Sequence, residues 1–392
     1  MPWSESKVVD ERLRFVSACL SHEASLTELC ESFGISRKSG YKWLRRYEAE
    51  GPAGLTDRSH APLRHGRATD ASLIDAIILM KTARPSWGPR KIVGRLKLDH
   101  PELVWPAAST AGEILERAGL VGRRPRRQRT APTLGGLTTP VRPNHVWAAD
   151  HKGWVQLGDG RRCEPLTVTD GFSRYLLALS AGSNTSEEQA RPWFEAAFAE
   201  FGLPETIRSD NGPPFAAKSV TGLTTLSVWW TRLGIRHERI TPGKPQQNGR
   251  HERFHRTLLE AMSPPSADQA AQAQRFEAFR QDYNHQRPHE ALDQLPPAAF
   301  YRPSARKLPD RDPEPDYPAP AAVRQVRSNG CIKWRGELVF VSSALCAQPV
   351  AVEETEQGHW LVRYFALPIA LIDRKTNRLG RLTETLNAAP DL

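Results

Sequence analysis

Cysteine is scarce in this chain: Cys19, Cys30, Cys163, Cys331 and Cys346 are the only five in 392 residues, and no two form a C-x-x-C pair. An odd, scattered set argues against a zinc module and for a reducing compartment. Long apolar runs are missing too. No segment approaches membrane-spanning length and the opening MPWSESKVVDERLR has no apolar signal core, so a soluble, cytoplasmic protein without a membrane partner is expected. Apolar residues still make up 39% of the chain, enough for burial, and the length calls for two to four domains rather than one core. Positive charge is in surplus. The formal net charge is +10, and the part before Asp150 holds 24 Lys and Arg against 15 Asp and Glu, a net +9. That excess points to a polyanionic partner, DNA above all, held mainly by the amino-terminal part.

Residues 7–48 read as three helices. Leu13, Val16 and Leu20 suggest one apolar stripe, and Leu26, Leu29, Cys30 and Phe33 a second at helical spacing. Ser25 and Glu28 have capping-box spacing, and Gly34-Ile35-Ser36 supplies a tight turn before the basic, aromatic run RKSGYKWLRRY. A helix after such a turn is the part of a helix-turn-helix that enters the major groove. Arg37, Lys38, Ser39 and Lys42 are the candidate DNA contacts, with Ile35, Trp43 and Leu44 as core; the bland alternative is a small bundle with a solvated basic face.

After a polar connector, residues 70–121 predict a second helical unit, a helix-turn-helix or winged helix. Leu73, Ile74, Ile77 and Ile78 make its first stripe, Pro89 opens a second helix, Ser109 caps a third and Gly119 ends it. Arg123, Arg124, Arg126, Arg127 and Arg129 form a Pro-broken basic tether suited to phosphates.

The stretch from residue 207 to 259 organises the rest. Asp210 follows the strand-like ETIRS, and Asn211-Gly212 punctuates its end, where open α/β sheets place their chemistry. Glu252 follows the breaker-rich loop TPGKP in a run that reads as a helix from about Asn248, and Asp150 ends the run VWAAD. Three carboxylates from two strand ends and one helix make an all-oxygen pocket for hard divalent cations such as Mg²⁺. On a helix Asn248, Glu252 and Arg256 share one face, so Arg256 is placed to meet a phosphate, with Asn248 as a further DNA candidate; Lys244, His251, Arg253 and His255 are weaker candidates, for which a solvated charged face is the alternative.

WAAD at 147–150, SDNG at 209–212 and PQQNGRHERFHRTL at 245–258 resemble the D,D,E signature of bacterial insertion-sequence transposases, whose catalytic domain is similar to retroviral integrases. The resemblance implies a ribonuclease-H-like core over residues 138–304, with Asp150, Asp210 and Glu252 as catalytic metal ligands. It further implies two Mg²⁺ or Mn²⁺ ions per site, phosphoryl transfer at double-stranded DNA, and a homo-oligomer working at element ends and target, close to the nucleoid. Asp210 and Glu252 have 41 residues between them, more than the family's usual spacing. An insertion in residues 216–227 accounts for the excess without moving either acid. The other candidate is Glu238, in the strand-like RHERI.

Within this region strands are expected at about 146–154, 163–169 and 174–180, with a hairpin at Gly158-Asp159-Gly160. A helix over 186–201 carries Trp193, Phe194, Ala197 and Phe198, and further helices fall around 226–233 and 267–283. A Pro-rich linker over 305–320 precedes alternating residues over 321–380, with turns at Asn329-Gly330, Arg335-Gly336 and Gln357-Gly358. They predict a small β-barrel, SH3-like by analogy with integrase carboxyl-terminal domains, or else an edge subdomain on the core. The fold expected is thus multidomain α+β: a helix-turn-helix domain at 1–55, a second helical domain at 68–122, a basic linker at 123–137, the α/β core, and the β-barrel. The function expected is DNA cleavage and strand transfer. A catalytically silent DNA-binding regulator and a structure-selective nuclease on the same fold are the alternatives.

Overall fold

The computed structural model describes residues 8–58, 69–121, 136–243, 247 and 249–382. The basic tether at 123–129, Lys244 and Asn248 lie outside these residues. The chain divides into two compact units, Met1–Thr69 and Asp70–Leu392.

In the first unit, α1 (Val8–Leu20), α2 (Leu26–Ser32) and α3 (Arg37–Glu50) pack together. Helix α2 starts on the expected capping box between Ser25 and Glu28, and Ser36 caps α3 by accepting from the Ser39 backbone. The buried face of α1 differs from the expected stripe. Phe15, Val16 and Ala18 are buried, whereas Leu13 and Leu20 are 41% and 52% exposed. The aromatic ring decides the rotation: Phe15 meets Phe33 edge to face at 5.5 Å between centroids, and one ring buries more apolar area than either leucine. Gly40 lets α3 come close, since a Cβ there would lie 2.5 Å from Cys30 Sγ and 3.0 Å from the Phe15 ring. Trp43 is core, and Ile35 and Leu44 pack against that core half-buried.

The second unit begins with α4 (Ala71–Ala83), α5 (Pro89–Asp99) and α6 (Ala108–Arg117). Pro89 is the first residue of α5 as expected, and Gly119 turns the chain after α6 with φ +71°. Ser109 is not the cap; Ala107 holds that position and Ser109 lies inside the first turn. Ile77, Trp87, Ile92, Leu96, Trp105 and Leu115 form the core of these helices. They pack on the rest of the unit: Arg84 pairs with Asp282 at 2.5 Å, and a Cβ on Gly94 would meet Gln294 at 2.7 Å.

The central sheet has the order β5-β4-β1-β6-β7. Its strands are β1 (Val146–His151), β4 (Leu166–Asp170), β5 (Leu176–Leu179), β6 (Thr206–Ser209) and β7 (Arg236–Arg239); the short β2 (Val155–Gln156) and β3 (Arg162–Cys163) form a separate hairpin. The first three sheet strands are antiparallel, and β1, β6 and β7 are parallel. Helices cover both faces. On one, Trp147 and Ala149 of β1 meet Phe194 and Phe198 of α7 (Glu187–Phe201) and Trp229 and Trp230 of α8 (Thr225–Arg232). Trp193, expected on this buried face, is 39% exposed, because it lies about 100° round the helix from Phe194. On the other face, Phe254, Leu258 and Met262 of α9 (Gly249–Met262) and Phe276 and Tyr283 of α10 (Gln269–His285) cover β5. Each buried side chain of this size contributes roughly 1.5–3 kcal/mol. Alternation along β1 therefore turns Asp150 toward α9.

Strands β8 (Ala322–Gln325) to β14 (Leu379–Gly380) build the carboxyl-terminal region, with positive φ at Gly330, Gly336 and Gly358 in the expected turns. The β content is as expected, but backbone pairing does not close a ring. Strands β14, β13 (Leu367–Ile372), β12 (Trp360–Tyr364), β11 (Pro349–Glu354) and β8 form one open sheet, and β9 (Cys331–Trp334) and β10 (Glu337–Phe340) a hairpin of their own. Side chains fill the space between them: Ile332, Val339, Val350, Val362 and Ile372 share a core that Val228 of α8 enters from the central region. Arg232 fastens the junction by donating to Asp312 at 2.5 Å and to Gln348.

Candidate active site

The pairing of β1 with β6 brings two acids together. Val146, Trp147 and Ala148 lie opposite Thr206, Ile207 and Arg208, so the same offset of sixty, carried on, sets Asp210 beside Asp150 at the carboxyl ends of adjacent parallel strands. Neighbouring strands lie about 4.8 Å apart. Asp150 is mostly buried, with 17% of its side chain exposed. Burial pushes its carboxyl up to about 7, and the negative charges of Asp210 and, less, Glu252 push the same way. Asp210 and Glu252 are thus both near enough to act on Asp150.

Local structure holds each acid. The Asp150 backbone carbonyl accepts from Thr167 Oγ1 at 2.9 Å. Asp210 Oδ1 accepts from the Gly212 backbone at 3.1 Å, and a Cβ on Gly212 would come within 3.0 Å of Oδ2. This close turn explains the glycine of SDNG. Asn211 donates to the Ile240 carbonyl at 2.7 Å, tying the loop after β6 to the end of β7. Glu252 stands in the first turn of α9, exposed, while His251, Phe254, His255 and Leu258 form the buried stripe of that helix.

Two histidines correct the sequence reading. His251 and His255 face the protein, not a phosphate or solvent, and are 2% and 7% exposed. Their Nε2 atoms lie 2.6 and 2.8 Å from the same hydroxyl, Thr167 Oγ1, and His251 Nδ1 lies 3.3 Å from Thr169 Oγ1. Burial lowers both imidazoles far below their usual range, and for His255 the neighbouring His251 adds to it. One ligand atom each from Asp150, His251 and His255 falls within 4.8 Å of the others. Sequence reasoning missed Thr167; its signal is a hydroxyl at every second position of the fully buried strand LTVTD.

Glu238 has other partners. It accepts two hydrogen bonds from Arg208, at 2.8 and 2.6 Å, and two from Thr138, at 2.8 and 2.9 Å. Burial raises its carboxyl, but these bonds outweigh that and leave it below the usual range. A carboxylate so occupied on the β7 ladder has little capacity left for a metal ion. Of residues 216–227, expected to be a loop insertion, those up to Thr224 precede α8, whereas Thr225, Leu226 and Ser227 belong to that helix and the last two are buried.

Among the basic candidates, Arg253 and Arg256 are exposed on α9, with Arg256 one turn beyond Glu252. On α3, Arg37, Lys38 and Lys42 are exposed, and the Lys42 ammonium sits 4.3 Å from the centre of the Trp43 ring. Ser39 is half-buried and bonded into the cap, its hydroxyl 3.0 Å from that of Ser36.

The set fits hard divalent cations. Asp150, Asp210 and Glu252 would supply oxygen ligands, and a cation would offset the burial and, less, the carboxylate repulsion that raise Asp150.

Residues 140–245 match an integrase core domain family and residues 233–297 a second family of the same description. Residues 11–62 match a helix-turn-helix domain and residues 39–115 a homeodomain-like domain. The chain is 33% identical over 190 residues to an uncharacterized 31.7 kDa protein of insertion element IS407 from Burkholderia multivorans, covering 48% of this chain and 66% of that protein. It is 29% identical over 244 residues to an uncharacterized 39.2 kDa protein of insertion element IS476 from Xanthomonas euvesicatoria, covering 62% and 67%. It thus spans about two thirds of the length of these relatives. A simian T-cell lymphotropic virus intasome chain overlaps 79% of this chain and 99% of its own length, with a TM-score of 0.37 and 18% identity.

Proposed function

We propose that this chain, an insertion-sequence protein with a retroviral-integrase-type core, is a DNA transposase that cuts element ends and joins them to a target. The observation that carries the reading is the register that sets Asp210 beside Asp150 at the carboxyl end of the sheet, with Glu252 of α9 near enough to act on Asp150, in a chain that also matches a helix-turn-helix domain.

Asp150, Asp210 and Glu252 would hold Mg²⁺ or Mn²⁺, two ions per site, which supply the Lewis acidity that activates the attacking oxygen and stabilises the leaving 3′-oxygen. The protein's own residues do the rest. Thr167, bonded to the Asp150 carbonyl and to two imidazoles of α9, fixes the helix of Glu252 against the strand of Asp150. Asn211 holds the Asp210 loop, and Arg256, exposed beside Glu252, orients a phosphate of the bound strand. Arg37, Lys38 and Lys42 select the element end, and the arginines at 123–129 add sequence-independent affinity.

Purified protein, labelled element-end DNA and Mg²⁺ or Mn²⁺ test the reading. Joined products support it. Cleaved but unjoined DNA would make the chain a nuclease, and binding without cleavage a regulator. Bringing two ends together calls for more than one chain, so light scattering of the protein–DNA complex should give at least a dimer.

A further inference from the structure

The loop over residues 217–223, between Asp210 and Glu252 in the chain, builds one wall of a cleft of about 1120 Å³. The same wall includes β7 and the segment after it; the opposite wall is the turn between β12 and β13 with Arg381. Asn211, the residue after Asp210, lines it as well. Its charge is one-sided: Lys218, Arg236, Arg239 and Arg381 line it, and no Asp or Glu does among the described residues.

These cations are largely uncompensated. Arg236 donates to the hydroxyls of Thr138 and Thr206, at 2.5 and 3.4 Å, both neutral. Among the described residues no carboxylate pairs with Lys218, Arg239 or Arg381, and all three are exposed. The loop is shaped around one of them. Gly222, at φ +65°, lies so near the Arg239 guanidinium that a Cβ would fall 2.8 Å from Nη1. The loop thus folds back against a cation at the cleft. Four positive side chains without a negative one in a concave surface focus a field that attracts a polyanion.

We propose that this cleft holds the sugar-phosphate backbone of the DNA strand that runs past Asp210, with Lys218, Arg239 and Arg381 on its phosphates and without regard to sequence. The inference rests on the reading of the chain as a DNA-joining enzyme. It adds a third DNA-holding surface to the helix-turn-helix and the tether, one that exists only because the loop and the carboxyl-terminal β region face each other.

The test uses the full chain and a short DNA duplex of unrelated sequence, with fluorescence anisotropy read across a salt series. The triple variant Lys218→Gln, Arg239→Gln, Arg381→Gln is compared with a control that removes exposed charge outside the cleft, Lys307→Gln, Arg311→Gln. Thermal unfolding should match wild type for both. Each lost phosphate contact lowers the slope of log affinity against log salt by about 0.9, so the triple variant should lose roughly 2 to 3 in slope and the control much less. Equal slopes for the two variants would overturn the proposal. The two readings fail separately: protein that joins DNA while the triple variant keeps its slope has lost only the cleft. Protein that loses the slope in the triple variant but never joins element ends has lost only the transposase reading.

Discussion

In the first helical unit the candidate DNA-contacting charges stand outside the fold; in the central α/β region several charged side chains are built into it. Arg37, Lys38 and Lys42 project from α3 into solvent over a core of Phe15, Cys30 and Trp43. Asp150, His251 and His255 are packed around Thr167 between a strand and a helix, and Glu238 and Arg208 bond to each other between strands. Surface charges act through long-range attraction that salt screens, and each contributes almost independently. Buried ones hold each other's protonation and position, so losing one disturbs the rest. The first arrangement suits recognition and the second suits chemistry.

The largest effects are expected at the three acids of the candidate site. Asp150→Asn, Asp210→Asn and Glu252→Gln should each reduce cleavage and joining below detection while element-end affinity stays near wild type, and chelator should do the same to the wild-type protein. Each swap keeps shape and removes a negative ligand. Wild-type joining by Glu252→Gln would break the assignment.

Acid stability comes next. Burial lowers His237, His251 and His289 to about 3. Above pH of about 6.5 folded and unfolded forms are both neutral at these rings. Below it only the unfolded chain takes up the protons, so their stabilisation is present above that value and lost as pH falls toward 3. The slope approaches about 1.4 kcal/mol per pH unit for each ring. Asp150, raised to about 7, works the other way in the same range, since the folded form binds its proton first. Three rings outweigh one carboxyl, and denaturant unfolding at pH 7.5 and 5 should show a net loss. A flat profile would mean that the rings are not held neutral.

Thr167→Val should lower stability by about 1–3 kcal/mol, because it strips a shared partner from two buried imidazoles and the Asp150 carbonyl. Thr167→Ser should restore most of it. A valine variant as stable and active as wild type would show that the hydroxyl holds nothing.

The smallest effects belong to Arg37 and Lys42 on α3 and to the basic tether. Arg37→Gln or Lys42→Gln should narrow the gap between element-end and random DNA by about 1–3 kcal/mol for a side chain that reads a base edge. Arg124→Gln should weaken both DNAs alike and lower the salt slope by about 0.9. Equal loss of selectivity from all three would erase the distinction between readout and tether.

Much of this molecule was legible one segment at a time, because the signals are local. Capping of α2 by Ser25 and Glu28, Pro89 at the start of α5, the turns at Gly330, Gly336 and Gly358, and the strand before Asp210 depend on neighbours a few residues away. Charge distribution and the order of WAAD, SDNG and NG-x-x-E are likewise properties of the string. Periodicity names a helix's apolar side but does not rank its members, and the rotation of α1 toward Phe15 and of Trp193 toward solvent came from partners in other elements. Tertiary structure alone decided that Asp210 lies beside Asp150, since strand register is set by pairing across sixty residues. It alone sent Glu238 to Arg208, and His251 and His255 to a threonine more than eighty residues away. The physical reason is the same in each case: whether an ionisable side chain is solvated, paired or catalytic depends on which distant group replaces its water, and a sequence records the side chain but not its replacement.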